Sequence, residues 1–287
     1  MGNLEISKAV IPAAGLGTRL LPATAGIPKE LLPIGLKPMI QHCLEEAIQS
    51  GLKEIAIILS PQKSPIRTFL REAASSSHPA LEEFARLLRG ARIEYLEQPR
   101  PHGVADALSR ARDFTSGEPF AVLLPDNVCF ASTPPLRQML TRLEPGRCAL
   151  ALVEYRRETA DWFGNCGRVD CEPIEDPVYR ITRLHDKGTG TFDLRGKARE
   201  LVGYARYLLQ PYFFDYLEET TPADPGQEWD DTPVLQKIIL DRQMTGVHLT
   251  GEAFDVGNPA GYLAANRFAG VRSRGTTPSR GLPSPGG

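Results

Sequence analysis

Arg19 and Lys29 stand ten positions apart, close behind two glycines, in the stretch AVIPAAGLGTRLLPATAGIPKELLPIG that begins at Ala9. An arginine offers a planar fork of donors and a lysine a compact charge, the two devices proteins set against phosphate oxygens. Gly15 and Gly17 let backbone N–H groups come close to a ligand, and successive N–H groups form a concavity for an anion. The loop Gly15-Leu16-Gly17-Thr18-Arg19 is therefore a candidate phosphate cradle, although a glycine turn after a strand is also an ordinary structural device. It is not a P-loop, because no Gly-Lys-Ser/Thr follows. Nor is it a dinucleotide fingerprint. Arg19-Leu20 break the spacing to a third glycine, and the second strand ends in Leu59-Ser60 with no acidic residue for a ribose.

Two aspartates supply the complementary sign. Leu123-Leu124-Pro125-Asp126-Asn127 and Ala253-Phe254-Asp255-Val256-Gly257-Asn258 each read as a strand end followed by a turn. In open α/β sheets ligands bind outside the carboxyl ends of the strands, so both carboxylates can reach the cleft that the glycine loop faces. Mg²⁺ prefers one or two carboxylates plus phosphate oxygens and water, which makes the pair a candidate metal site. Taken singly, Asp126 is equally a turn opener and Asp255 equally a cap for the last helix. Gln98 ends the third strand before the stiff loop Pro99-Arg100-Pro101-His102-Gly103. Its amide can pair with one acceptor and one donor on a base, and Gly103 would let the base lie close, though a glutamine here also suits a plain surface. Farther on, Asn165-Cys166-Gly167-Arg168 and His185-Asp186-Lys187-Gly188 suit a polyhydroxyl ligand with its phosphate, while Asp-Lys-Gly is also an ordinary turn. The five histidines show no HxH or HExxH spacing, so metal ligation or hydrolysis by histidine is not expected.

These residues need a frame that brings several strand ends to one side. Apolar runs at Lys8–Ile11, Glu54–Leu59, Arg92–Leu96, Phe120–Leu124 and Ala149–Val153 alternate with amphipathic stretches near Met39–Ser50, Ile66–Ala74, Leu81–Leu88 and Val104–Phe114. That alternation predicts an α/β fold with a parallel sheet and crossover helices. After Tyr155 the pattern loosens into strand pieces at Arg168–Cys171, Val178–Leu184 and Glu200–Leu208, helical pieces at Tyr212–Leu217 and Pro233–Leu240, a strand at Val247–Leu249 and a last helix near Pro259–Phe268. One folded domain is expected over residues 1–272. The Pro/Gly/Ser-rich tail 273–287 has almost nothing to bury and reads as disordered.

Composition narrows the classes further. With 41% hydrophobic and 24% charged residues and a net charge of −2, the chain has no basic field for nucleic acid, so any phosphate binding is local. Five cysteines without a CxxC pair argue against a disulfide scaffold or a zinc site, and a reducing cytoplasm fits best. No apolar run approaches the ~20 residues of a membrane span, and MGNLEISKAV has no signal-peptide core.

The order of parts, from the glycine loop through Arg19, Lys29, Gln98, Asp126 and Lys187 to Asp255, resembles the sugar-1-phosphate nucleotidyltransferases, and within them the uridylyltransferases that make UDP-glucose. The matching segments are AVIPAAGLGTRLLPAT, IPKELLP with KPMIQH after it, LLPDN, VGYARYLL and FDVGNPAGYLAAN, which together span Ala9 to about Asn266. Related thymidylyltransferases usually carry a serine-bearing glycine loop and Ser-Lys-Gln where Pro28-Lys29-Glu30 stands here. The resemblance implies a Rossmann-like mixed, mostly parallel sheet flanked by helices, with a nucleotide-binding part over about 1–155 and a sugar-binding part over about 156–272. It implies that Ala14, Gly15, Gln98 and Gly103 hold the uracil, with Gly17 and Thr18 also on the nucleotide. Arg19 would meet the leaving pyrophosphate and Lys29 the reacting phosphates. Asp126 and Asp255 would bind Mg²⁺, Lys187 would contact the sugar phosphate, and Gly167 and Asp186 would lie near the sugar ring. The implied catalytic set is Arg19, Lys29, Asp126 and Lys187.

The implied reaction joins UTP and glucose 1-phosphate into UDP-glucose and pyrophosphate. An oxygen of the sugar phosphate attacks the α-phosphorus, and because that oxygen is already anionic no general base is required. The absence of a convincing acid–base pair agrees. The implied partners are UTP and a hexose 1-phosphate, with no nucleic acid or membrane, and a homo-oligomer is compatible with this reading. One segment departs from the family: His185-Asp186-Lys187-Gly188 stands where Glu-Lys-Pro after a smaller apolar residue is usual. The departure concerns the sugar and leaves a thymidylyl- or uridylyltransferase for another hexose 1-phosphate as the alternative. A non-catalytic nucleotide-sugar-binding regulator would have lost Arg19, Lys29 or an aspartate, and none is lost.

Overall fold

Strand β1 (Lys8–Pro12) is buried along nearly its whole length because it lies inside a sheet covered on both faces. Its side chains alternate: Ala9 and Ile11 join one apolar cluster and Val10 the other. This is a computed structural model, and it describes residues 6–164, 167–185, 194, 196–224 and 226–275. Asp186, Lys187 and the tail from 276 lie outside the described residues. Two short strands, β2 (Pro33–Ile34) and β3 (Lys37–Pro38), make a hairpin ahead of helix α1 (Met39–Gln49). The burial of Met39, Ile40, Cys43, Leu44 and Ala47 traces the helical period in α1. Then come β4 (Glu54–Leu59), α2 (Ser64–Ser75), α3 (Glu82–Arg89), β5 (Arg92–Glu97), α4 (Val104–Ser109), α5 (Arg112–Thr115), β6 (Phe120–Leu123), β7 (Asn127–Phe130), α6 (Pro135–Leu140) and β8 (Cys148–Arg156). The second half carries β9 (Val169–Glu175), β10 (Val178–Leu184), β11 (Arg199–Leu209), α7 (Phe213–Glu219), α8 (Thr232–Arg242), β12 (Met244–His248), β13 (Glu252–Asp255) and α9 (Pro259–Gly275).

Nine strands form one mixed sheet in the order β5-β4-β1-β6-β11-β8-β12-β10-β9. The run β5-β4-β1-β6 and the pair β8-β12 are parallel, while β11 and β10 run antiparallel to their neighbours. Strand β11 therefore inserts between β6 and β8, and the two halves of the chain share one sheet. The expectation of an α/β mixed sheet flanked by helices holds. Two expectations need correction. The single helix at Val104–Phe114 is two, because Arg110 and Ala111 close tight three-residue turns on Ala107 and Leu108 and turn the chain between α4 and α5. The strand at Val247–Leu249 begins earlier, at Met244, where it pairs with Cys148. Among the described residues no helix is long and apolar enough to cross a membrane.

One buried ion pair ties the sheet to the loop after β6. The Arg206 guanidinium, 1% exposed, donates to both carboxylate oxygens of Glu46 on α1 at 2.8 Å. It also donates to the carbonyls of Leu124 at 3.0 Å and Asn127 at 2.7 Å, which flank Pro125-Asp126. Glu46 accepts in turn from the Leu136 N–H that opens α6. Removing one member of such a pair strands a charge away from water. Arg206→Met should therefore cost about 3–5 kcal/mol in urea denaturation, and Arg206→Met/Glu46→Leu should recover only part of that loss, because the Leu124 and Asn127 carbonyls and the Leu136 N–H stay without these partners. Equal losses in the single and double variants would show that Arg206 acts through packing alone.

Candidate active site

A cavity of about 530 Å³ opens outside the carboxyl ends of β1, β5 and β6 and continues across β11. Its volume falls within the range of small-molecule sites. The loop after β1 contributes Ala14, Gly15, Gly17, Thr18 and Arg19 to its wall. Gln98 and Gly103 enter from the loop after β5, Asp126 from the loop after β6, and Lys29, Gly167 and Asp255 complete the set. Every described residue to which the resemblance gave a role thus lines one cavity, whereas Arg168 and His185 do not and pair with Glu200 and Asp170 instead. Asp186 and Lys187 lie outside the described residues.

Gly17 adopts a left-handed conformation, φ 71°, and a Cβ there would stand 3.1 Å from Lys29 Cβ. The glycine bends the loop and lets the lysine stem lie across it. Gly15 is different. A Cβ on it would meet nothing within 4 Å, so the space beside it is open to the cavity. Lys29 Nζ reaches Asp126 Oδ2 at 2.5 Å, and Arg19 lies 4.0 Å from the same oxygen and 3.6 Å from Asp255 Oδ2. Behind Lys29, the wholly buried Glu30 pairs with Lys63 at 2.5 Å.

Two carboxylates of like charge therefore share this corner. Burial works to raise Asp126, but the adjacent Lys29 charge, its hydrogen bond and Arg19 outweigh it and bring the carboxyl down to about 2. Asp255 goes the other way: burial first, then the Asp126 charge, holds its carboxyl above the ordinary range. The Gly257 N–H at 2.9 Å and the Gly164 N–H at 3.1 Å partly offset this by donating to it. Lys29 is pushed down by burial, but the charges of Asp126 and Glu30 and the hydrogen bond to Asp126 together outweigh it and raise the ammonium above its ordinary value, so it remains a cation.

The two aspartates meet through a separate two-stranded ribbon. Strand β13 pairs antiparallel with β7, setting Asp255 opposite Asn127, and Val256 N–H donates to the Asp126 carbonyl at 2.8 Å. Apolar neighbours anchor the charged residues: Leu20 beside Arg19, and Phe254 and Val256 on either side of Asp255, all enter a third cluster with Leu32, Ile34 and Val128. Trp162 stacks on Phe254 with centroids 4.9 Å apart. The alternative role for Asp255 as a helix cap is excluded. Asn258 caps α9 instead, its Oδ1 accepting from Gly261 N–H at 3.1 Å.

Sequence reasoning missed the wall residue Gly257 and several residues that support the wall from behind. Gly257, Asn258, Trp229 and Asp106 each act through contacts that no periodicity marks. Asn258-Pro259, a capping residue before a proline at the first helical position, was the one legible signal among them. Gly103, at φ 100°, sits so close to Trp229 that a Cβ would stand 2.2 Å from the Trp229 carbonyl. Trp229 N–H donates to the His102 carbonyl at 2.9 Å, so the segment before α8 closes over the loop that carries Gly103.

Comparison with known proteins agrees with this geometry. Residues 8–271 match the family model described as nucleotidyl transferase. The UTP–glucose-1-phosphate uridylyltransferase of Mycoplasma pneumoniae is 33% identical, with 95% of each chain covered. The Bacillus subtilis protein of the same name is also 33% identical, over 90% of this chain and 89% of its own. A solved UDP-glucose pyrophosphorylase complexed with UDP-glucose matches at a TM-score of 0.78 and 27% identity, covering 93% of this chain and 100% of that one. An apo UDP-glucose pyrophosphorylase matches at a TM-score of 0.80, again at 27% identity, over 94% of this chain and 100% of its own.

Gly257 offers a test of the charged corner. A Cβ at this position would stand 2.8 Å from Asp126 Oδ2 and 3.0 Å from both Arg19 Nη2 and Asp255 Oδ1. These are side-chain ends that can move, so Gly257→Ala should fold, with its melting midpoint within about 4 °C of wild type. Turnover should fall by about 100-fold, the cost of misplacing charged groups by roughly 1 Å. A variant with full turnover would show that this spacing is not needed for the chemistry.

Proposed function

The chain belongs to the nucleotidyl transferase family, and we propose that it makes UDP-glucose and pyrophosphate from UTP and glucose 1-phosphate. The observation that carries the reading is the convergence of Arg19, Lys29, Asp126 and Asp255 on one cavity wall, beside a glycine loop that leaves room for phosphates. A transfer between phosphates needs positioning and charge neutralisation more than covalent work from the protein. In this reading Gly15 admits the triphosphate, Arg19 meets the departing pyrophosphate, and Lys29 faces the reacting phosphates. Ala14, Gly17, Thr18, Gln98 and Gly103 would hold the nucleotide, over a part of the chain that ends near residue 155. Gly167, Asp186 and Lys187 would serve the sugar phosphate within residues 156–272.

A divalent cation fits Asp126 and Asp255. Two neighbouring buried carboxylates that raise each other's cost of ionisation form a donor set suited to a hard cation. No group of three or more His, Cys, Asp or Glu gathers for a metal among the described residues, so phosphate oxygens and water would complete the shell of Mg²⁺. Bound there, the ion would supply positive charge between the phosphates. Before substrate binds, Lys29 and Arg19 offset the charge of Asp126, and Arg19 partly offsets that of Asp255.

A pyrophosphate-release screen crossing four nucleoside triphosphates with glucose, galactose, N-acetylglucosamine and mannose 1-phosphates tests the reading. UTP with glucose 1-phosphate should give the largest kcat/KM. A clear preference for dTTP or for another sugar would replace this activity with a sister one, and no release from any pair would end it. Asp126→Asn keeps the shape and removes charge, so turnover should fall by ~100-fold or more with little change in melting. Mg²⁺ with UTP should also raise the melting midpoint of wild type more than that of Asp126→Asn.

A further inference from the structure

We propose that Asp106, held by Arg110, is a positioning residue that makes the nucleotide site read uracil in preference to cytosine by dictating which end of the Gln98 amide meets the base. The inference rests on the UTP reading and adds the device that selects the base. Gln98 is 2% exposed, and its Nε2 donates to the Gly103 carbonyl at 3.0 Å and to Asp106 Oδ2 at 2.7 Å. A carbonyl and an ionised carboxylate have no hydrogen to give. The amide nitrogen must therefore point at them, whatever rotation a side-chain amide is otherwise free to take. Reversed, its oxygen would face two oxygens in a buried corner, leaving itself and Asp106 Oδ2 without a donor, while the Gly103 carbonyl would keep only the Ala107 N–H.

With both N–H groups committed inward, Gln98 has only Oε1 left to offer the cavity it lines. Arg110 completes the lock. Its Nη2 donates to Asp106 Oδ1 at 2.8 Å from one helical turn away, and that leaves Oδ2 for Gln98. Uracil carries an N–H at N3 between two carbonyls, whereas cytosine has a bare nitrogen there and an amino group at C4. A fixed oxygen accepts from the first and meets a lone pair on the second. Thymine shares the N3–H, so this device does not separate UTP from dTTP.

Asp106→Asn breaks the lock. Arg110 keeps the asparagine oxygen and the asparagine NH₂ then faces Gln98, so the Gly103 carbonyl alone still holds the Gln98 nitrogen inward and the amide is free to present an N–H to the base in part of the molecules. The ratio of kcat/KM for UTP over CTP should fall by about tenfold or more, while the ratio for UTP over dTTP stays within about twofold. In Asp106→Asn/Arg110→Met the asparagine is free to turn its oxygen back to Gln98, and the UTP:CTP ratio should recover. Should Asp106→Asn fail to fold, Asp106→Ser removes one acceptor without reversing it and should lower the same ratio by a smaller factor. A UTP:CTP ratio unchanged in every folded variant overturns the proposal, as does an equal fall in both ratios, which marks general loosening. Wild type that does not use UTP overturns the uridylyl reading. Wild type that uses UTP while its variants keep the ratio overturns this inference alone.

Discussion

The structure depends on holding two buried carboxylates side by side against their own repulsion. At an effective dielectric of 20, two like charges 4 Å apart repel by about 4 kcal/mol, comparable to several hydrogen bonds. Asp126 and Asp255 reach their places from points far apart in the chain, and side-chain bonding alone would let them separate. The ribbon of β7 and β13 fixes them through backbone, with Val256 N–H on the Asp126 carbonyl. Repulsion then has only side-chain rotation left to act on. Arg19 reaches both carboxylates, and Lys29 closes on one.

The support continues outward in layers that differ in kind. Apolar residues flank each charged one, so Leu20 and Phe254 settle their neighbours by burial. Arg206 and Glu46 act differently. Their pair gathers the carbonyls of Leu124 and Asn127, and so grips the turn that presents Asp126 from both sides. A hydrophobic contact there would pack the loop but would leave those carbonyls without donors. The sheet beneath gives the common direction: strands buried on both faces end together, and the loops that leave them converge.

The strand ends were legible because buried strands write continuous apolar runs bounded by turn formers, as Ala9-Val10-Ile11 does before Pro12. Part of the cavity wall was legible for the same reason, since Gln98 and Asp126 follow such runs directly and Arg19 stands in the glycine loop after the first. What escaped was short or distant. Strands β7 and β13 hold four residues each, too few for a period to show. The Glu46–Arg206 pair spans 160 positions, and nothing in VGYARYLL marks Arg206 as buried. Gly257 was read as part of a turn, although what its place requires is the absence of a side chain among three charged groups.

The two ends of the cavity solve different problems. At the proposed phosphate end the ligand would be a diffuse anion, and Coulomb attraction falls off slowly with distance; Arg19 already shows this loose mode, 3.6–4.0 Å from the two carboxylates. At the proposed base end the ligand would be neutral, and a hydrogen bond fails within a few tenths of an ångström or when donor and acceptor are exchanged. Charge therefore suits one end and enforced polarity the other. Gln98 is held by two oxygens that cannot donate, one of them on a carboxylate whose other oxygen Arg110 pins, so the base end gains directionality from hydrogen bonds at distances of 2.7–3.0 Å. On the proposed reading affinity would come from the phosphates and selection from the base, and that division gives a single amide a use for the carboxylate and the guanidinium behind it.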